Sequence, residues 1–308
     1  MKKSSAENYY SQVLYKINQL NLYNKWQLDS IKKNRFSLKN VRIFFSYLFN
    51  GGFSRIVRRF KLIGKKQNCH TKYELKEYKQ FAKKRIVVYT CVWGKYDTLL
   101  EPFFVNPNID YIIFTDQEIP KDSVWKKGTI PNDLDVNKMS GVDVNRYFKM
   151  LPHRFFKEYD CSIYVDGNIR VVTDMMPIVT DLGDSPIGIH RYQVDCIYNM
   201  KDAIIAGKRA KRALVKKQLS NYKKLGFPKK FGAFECNVLV RNHNDNVCQS
   251  IMEEWWDEFN KTESKRDQLS LPYVLWKMGF TSETIFSLGQ EVRMNPRFII
   301  SDKHEGLD

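Results

Sequence analysis

Apolar positions in this chain fall into two textures. From residue 85 onward, short continuous apolar runs alternate with longer stretches of helical spacing. Ile86-Val87-Val88-Tyr89-Thr90-Cys91-Val92 is the first run and predicts a buried strand, and Tyr111 to Thr115 predicts a second. Asp143 to Tyr159 predicts a helix, Ser162 to Val165 a strand, and Ile187 to Ile189 the start of another strand. Ala203 to Leu225 predicts one long basic helix, and Asn237 to Arg241 a further strand. Residues 246–260 and 268–278 predict helices rich in tryptophan. Strands alternating with helices predict an α/β fold with a mostly parallel, Rossmann-type sheet covered on both faces.

The first 84 residues differ. Residues 1–38 read as polar helix, with Leu14, Ile17, Leu20 and Leu22 scattered through them. In residues 41–64, Phe44, Phe45, Phe53, Ile56 and Phe60 interleave with Arg55, Arg58, Arg59 and Lys61. Aromatics beside arginines on short amphipathic segments suit an anionic membrane surface. A helical hairpin packed on the main domain, with its cations merely solvated, explains the pattern as well. The domain reading is therefore a basic, partly amphipathic segment over 1–84 and one catalytic-sized domain over 85–308.

Charge sharpens this division. The net charge is +17, yet residues 1–84 hold 20 Lys and Arg against 4 Asp and Glu, and residues 201–230 hold 11 against Asp202 alone. An acidic body carrying two basic segments points to anionic partners. No recognition motif accompanies the charge, so no nucleic acid is expected. The six cysteines form no Cys-x-x-Cys pair, which argues against zinc, and several lie in apolar runs, as free thiols do. A reducing, cytoplasmic setting is the expectation. No signal-peptide pattern and no apolar stretch of about 20 residues is present.

The chemistry concentrates at Asp166-Gly167-Asn168, which directly follows the strand Ser162–Val165. Ligands of open α/β sheets bind at the carboxyl ends of strands. There Gly167 permits a sharp turn, and Asp166 and Asn168 offer oxygen ligands to a hard divalent cation holding a diphosphate. An ordinary strand followed by a glycine turn is the bland alternative. The first strand runs into Trp93-Gly94-Lys95-Tyr96-Asp97, a glycine turn that lets backbone approach a nucleotide and an aromatic stack on its base. Thr90 precedes that turn. Asp116 closes the second strand, as a ribose or base acceptor or as a turn cap. Arg146, Lys149 and His153 share one helical face before the motif strand. The first two suit a diphosphate; His153 suits a cap or core role equally well. His190 follows a strand, Glu235 opens one, and Asp267 precedes a helix. These three are the candidates to face the transferred sugar and acceptor, with Glu235 the favoured general base and Asp267 alternatively an N-cap. His304 is either a folded-back metal ligand or a tail residue.

In this order, Val88–Asp97, Tyr111–Asp116, Arg146–His153, Tyr159–Asn168, Phe234–Val238 and Arg266–Ser270 resemble a family of glycosyltransferase-like proteins long described as a domain of unknown function. Its members occur in bacterial polysaccharide gene clusters and in plant cell-wall and mucilage synthesis. The resemblance spans roughly residues 85–305. It implies a GT-A-like fold, a Rossmann-type mixed sheet flanked by helices, here with a basic helical N-terminal appendage. It also implies a nucleotide-sugar donor, expected to be UDP-linked, and Mn²⁺ or Mg²⁺ at Asp166, Asn168 and His304. Asp166-Gly167-Asn168 stands where such enzymes carry Asp-x-Asp, and its neutral amide weakens the hold on a cation. The expected protein is a cytoplasmic glycosyltransferase, peripheral at the inner membrane face, with a glycan or lipid-linked acceptor. A nucleotidyl- or sugar-phosphate transferase, or an inactive nucleotide-sugar- or glycan-binding protein, is the alternative.

Overall fold

The computed structural model describes residues 84–94, 97, 99–192, 196–207 and 209–301, the side chain of Glu283 excepted. Expectations for the basic segment up to residue 83, for Tyr96 and for His304 lie outside the described residues.

Seven strands form one sheet in the order β3-β2-β1-β4-β7-β6-β8. These are β1 (Ile86–Val92), β2 (Ile109–Thr115), β3 (Lys126–Lys127), β4 (Cys161–Val165), β6 (Ile187–Arg191), β7 (Phe234–Arg241) and β8 (Phe286–Ser287). The β3-β2-β1-β4 half is parallel, but β7 runs antiparallel to both β4 and β6. The sheet is thus mixed rather than uniformly parallel. A second ribbon pairs β5 (Ile169–Val171) with β9 (Phe298–Ile300).

Every residue of β1 is buried, as a central strand covered on both faces must be. Tyr89, Cys91, Phe114 and Leu239 face one core, shared with helices α1 (Gly141–Met150), α5 (Asn246–Lys261) and α6 (Asp267–Lys277). Val88, Val92, Ile163 and Val240 face the other, shared with α2 (Met176–Leu182) and β9. A third cluster joins α3 (Ile197–Ala206) and α4 (Arg212–Lys224) to α6 through Met200, Leu219, Tyr222 and Leu269. The five described cysteines are free and buried, as small apolar side chains. Among the described residues no helix is long and apolar enough to cross a membrane.

Several elements differ from expectation for local reasons. The helix predicted over 143–159 ends at Met150, because Pro152 disfavours helical backbone at Leu151. The helix predicted over 203–225 is two, broken around Gly207, whose amide closes the last turn on Ala203 O. His190 and Arg191 lie inside β6, and Glu235 inside β7.

Antiparallel β7 matters for the site. Val165 pairs with Val238, so residues 234–237 extend past the carboxyl end of β4. The pairing of β6 with β7 jumps from Ile189–Leu239 to His190–Glu235, leaving 236–238 unpaired with β6. One sheet edge therefore gathers the ends of β1, β2, β4 and β6 and the start of β7.

Candidate active site

The backbone at this edge is tied strand to strand. Gly94 adopts φ +69°, a left-handed conformation that favours glycine. Its N–H donates to both carboxylate oxygens of Asp116 at 3.1 Å, and its carbonyl accepts from Gln117 Nε2 at 2.9 Å. Asp116 thus locks the turn after β1. Gly167 serves a different end from the one expected: its φ is not left-handed. A Cβ there would lie 2.7 Å from Val92 Cγ2 and 3.2 Å from Asp97 Oδ2, so only glycine lets the Asp-Gly-Asn turn lie against the end of β1. Asp166 N–H donates to Asn237 O at 2.9 Å, fixing the turn to β7, and Ser301 N–H donates to Asn168 O at 2.8 Å.

Above this turn four charged side chains meet. Lys149 Nζ lies 3.2 Å from Asp166 Oδ1 and 2.8 Å from Asp267 Oδ2, and Arg146 Nε lies 3.2 Å from the same Asp267 oxygen. The one-face spacing of Arg146 and Lys149 brings both to Asp267. Lys149 begins near the far end of α1. Helical side chains lean toward the helix N-terminus, so its stem runs back to the strand ends. Its helix end is secured by Arg241, wholly buried, whose Nη1 donates to Lys149 O at 2.6 Å. Tyr89 Oη donates to Phe148 O at 3.0 Å, and burial pushes the Tyr89 hydroxyl up to about 12. These bonds satisfy carbonyls that a helix C-terminus leaves open.

Asp267 is 2% exposed. Burial alone would raise its carboxyl, but the charges of Arg146, Lys149 and Arg266 hold it well below the ordinary carboxylate range. It is a fixed anion at neutral pH, so it orients cations and takes no proton. The expectation set Asp267 at the sugar and acceptor; in the structure its Oδ2 is engaged by Lys149 and Arg146. Arg266, beside it, has a buried Nε with no hydrogen-bond partner. Burial and the nearby charges of Arg146 and Arg209 lower its pKa.

Glu235 is half-buried at the start of β7 and accepts from Val292 N–H at 2.8 Å. Burial raises it to about 7, against the hydrogen bonds of Val292 and Asn237. A carboxylate titrating near neutrality suits a general base. His190, its cross-strand partner, is 0% exposed, bonds Asn295 Nδ2 through Nε2 at 3.0 Å, and is lowered by burial to about 3. It is a neutral core imidazole, so its expected catalytic place is withdrawn. Thr90 is 3% exposed and sits inside β1, two residues before the strand end, so it is a core residue rather than a nucleotide contact. Trp93 is half-buried and packs against the core beside α1. His153 bonds Glu253 Oε1 at 2.7 Å and lines a separate cavity of about 670 Å³ with Arg154, Lys157 and Asn244. Its lining residue Asn244 follows the end of β7, away from the Asp-Gly-Asn turn.

The described residues at this turn do not by themselves make a divalent-cation site; His304, the third expected ligand, lies outside them. Asp166 is the single carboxylate of the turn, its Oδ1 is engaged by an ammonium, and Asn168 is neutral. Among the described residues no three His, Cys, Asp or Glu side chains stand together as a metal set. A metal–oxygen bond of about 2.1 Å would leave an ion on Asp166 Oδ1 within roughly 5 Å of Lys149. At an effective dielectric near 20 that repulsion is on the order of 6 kcal/mol.

Sequence reasoning passed over Arg266 as a separate cation, and it passed over Asn145, whose Nδ2 donates to Cys91 O at 2.6 Å beside Arg146. The adjacency of Arg266 to Asp267 was the available signal for the first.

A family model, TOD1/MUCI70 glycosyltransferase-like domain, matches residues 50–300, starting ahead of the boundary expected at 84/85. No curated protein matches the chain. Among solved structures, the bifunctional glycosyltransferase WbbM shares 11% identity at TM-score 0.38 over 68% of this chain and 40% of its own. The galactosyltransferase LgtC, solved with donor and acceptor sugar analogues, shares 15% identity at TM-score 0.35 over 61% and 70%. The glycosyltransferase GlyE of Streptococcus pneumoniae TIGR4 shares 14% identity at TM-score 0.36 over 67% and 45%. The chain thus spans less than half the length of WbbM and of GlyE.

Proposed function

The chain belongs to the TOD1/MUCI70 glycosyltransferase-like family, and on that premise we propose that it moves a glycosyl group from a nucleotide-sugar donor to a hydroxyl of a glycan or glycolipid. One observation carries the reading: Arg146 and Lys149 are aimed by Asp267 at the carboxyl edge of the parallel strands, beside Asp166. As the bond from the sugar to the diphosphate breaks, negative charge grows on the leaving phosphate. Cations already held in place stabilise that charge without reorganisation. The glycine turn after β1, with Trp93 and Asp116, faces the nucleoside. Asp166 keeps a second oxygen for a donor hydroxyl. Glu235 takes the proton of the acceptor hydroxyl, for which a pKa of about 7 is suited.

The reading predicts one nucleoside diphosphate released per glycosidic bond formed from a radiolabelled, UDP-linked donor. Asp166→Ala and Glu235→Gln should each lower turnover about a hundredfold or more. Release of nucleoside monophosphate would favour a sugar-phosphate transferase. Equal activity in wild type and both variants would remove this edge from the chemistry.

The setting belongs to the same proposal: surface polysaccharide synthesis at an anionic membrane face. Lys211, Arg212, Lys216, Lys223 and Lys224 are exposed on and beside α4. The α3–α4 pair is inserted between β6 and β7, at the catalytic edge, so these cations border the acceptor side. Binding to phosphatidylserine vesicles should fall steeply between low salt and about 0.15 M; salt-insensitive binding, or none, refutes the membrane partner.

A further inference from the structure

At the Asp-Gly-Asn turn the place beside Asp166 Oδ1 is already taken by a cation. Lys149 pairs with Asp166 and Asp267, Arg146 pairs with Asp267, and Arg266 adds a third cation next to Asp267 in the chain. Lys149 is 1% exposed and bonded to both carboxylates, so its ammonium holds the place beside Asp166 Oδ1 that a metal ion would need. Arg266, which precedes Asp267 in the chain, keeps a buried Nε–H without an acceptor, while Asp267 is shared by Arg146 and Lys149. A buried donor left open among cations fits an anionic oxygen, since an unmet buried donor is costly and a charged acceptor bonds most strongly.

We propose that Arg266, together with Arg146 and Lys149, supplies the countercharge to the donor's diphosphate, and that the nucleotide binds without a divalent cation. The inference rests on the donor reading above and assigns Arg266 to the phosphate site. Asp267 is its positioning residue, holding the two neighbouring cations at fixed spacing.

The test is nucleotide binding by calorimetry, with UDP, GDP, ADP, CDP and dTDP as probes, in EDTA and in Mn²⁺. The free-Mn²⁺ EPR signal is followed in parallel, with and without protein, against the nucleotide alone. The expected result is the same affinity, within about twofold, in both buffers, and no protein-dependent loss of the Mn²⁺ signal. Arg266→Gln should weaken binding about tenfold or more in either buffer, the loss of one charge-assisted bond. Lys149→Met should do the same. Because it also removes one of the two cations paired with buried Asp267, its melting temperature is measured first, and Arg266→Gln carries the test if it fails to fold. Binding that disappears on chelation, or Mn²⁺ immobilised by protein and nucleotide together, overturns this inference and leaves the donor reading standing. Wild-type affinity in Arg266→Gln overturns the role of that residue. Failure of every nucleotide in both buffers overturns the donor reading and this inference with it.

Discussion

Replacing Asp267 by asparagine isolates the charge that holds the site together. Its Oδ2 lies 2.8 Å from Lys149 Nζ and 3.2 Å from Arg146 Nε, and the residue is 2% exposed. The amide keeps the shape and one acceptor but leaves two buried cations short of an anion. Breaking a buried ion pair from one side costs about 3–5 kcal/mol, and the retained acceptor favours the lower end. For a body of this size that is a fall of about 6–12 °C in melting temperature. The pH dependence separates charge from shape. The neighbouring cations hold the Asp267 carboxyl, in the folded state, below its unfolded value of about 3.9. A depressed carboxylate stabilises the fold above its unfolded pKa and loses that contribution progressively as pH falls from there to its lower folded pKa. The gap between wild type and Asp267→Asn, read from urea midpoints, should be constant from pH 6 to 8 and close progressively below about pH 4. A gap under about 1 kcal/mol at pH 7, or one that persists unchanged at low pH, would refute the argument.

Other outcomes follow from single contacts. Glu235→Gln should abolish the acidic limb of the pH–rate profile, which in wild type rises through about pH 7. Because burial raises this carboxyl above its unfolded value, its ionisation opposes folding as pH climbs, so the variant should also gain stability relative to wild type above pH 7 in thermal melts. Gly167→Ala should cost about 1–3 kcal/mol by denaturant titration, because its Cβ would stand 2.7 Å from Val92 Cγ2. Gly94→Ala meets no atom within 4 Å and should cost only about 1 kcal/mol, the strain of φ +69°. Tyr89→Phe should cost about 2–3 kcal/mol, because the hydroxyl donates to Phe148 O at the end of α1 and accepts from Nη2 of buried Arg241, which is left without that acceptor.

The strands were legible because their signal is local. Seven consecutive apolar or β-prone residues ending in a glycine turn read as β1, and Ser162 to Val165 before Asp166 as β4, wherever they sit in a fold. The helix ends were less legible. Pro152 stops α1 within three residues, and Gly207 divides a basic stretch whose composition alone reads as continuous helix. At the site, the one-face spacing of Arg146 and Lys149 was readable, and so was the placement of Glu235 near a strand end. The roles of Asp267 and His190 were not, since each follows from what surrounds the side chain.

What this sequence determined by itself is the succession of strands, helices and turns and the residue types at their ends, because backbone sterics and apolar period act over a few neighbours. What the tertiary structure decided is which of those ends share an edge and which charges meet there. β7 enters antiparallel and brings Glu235 past the end of β4, and α6 carries Asp267 across 118 residues of chain to Lys149. Electrostatic pairing and burial depend on distance in space, so a carboxylate that reads as a candidate acid becomes an anchor, and a histidine that reads as catalytic becomes a neutral part of the core.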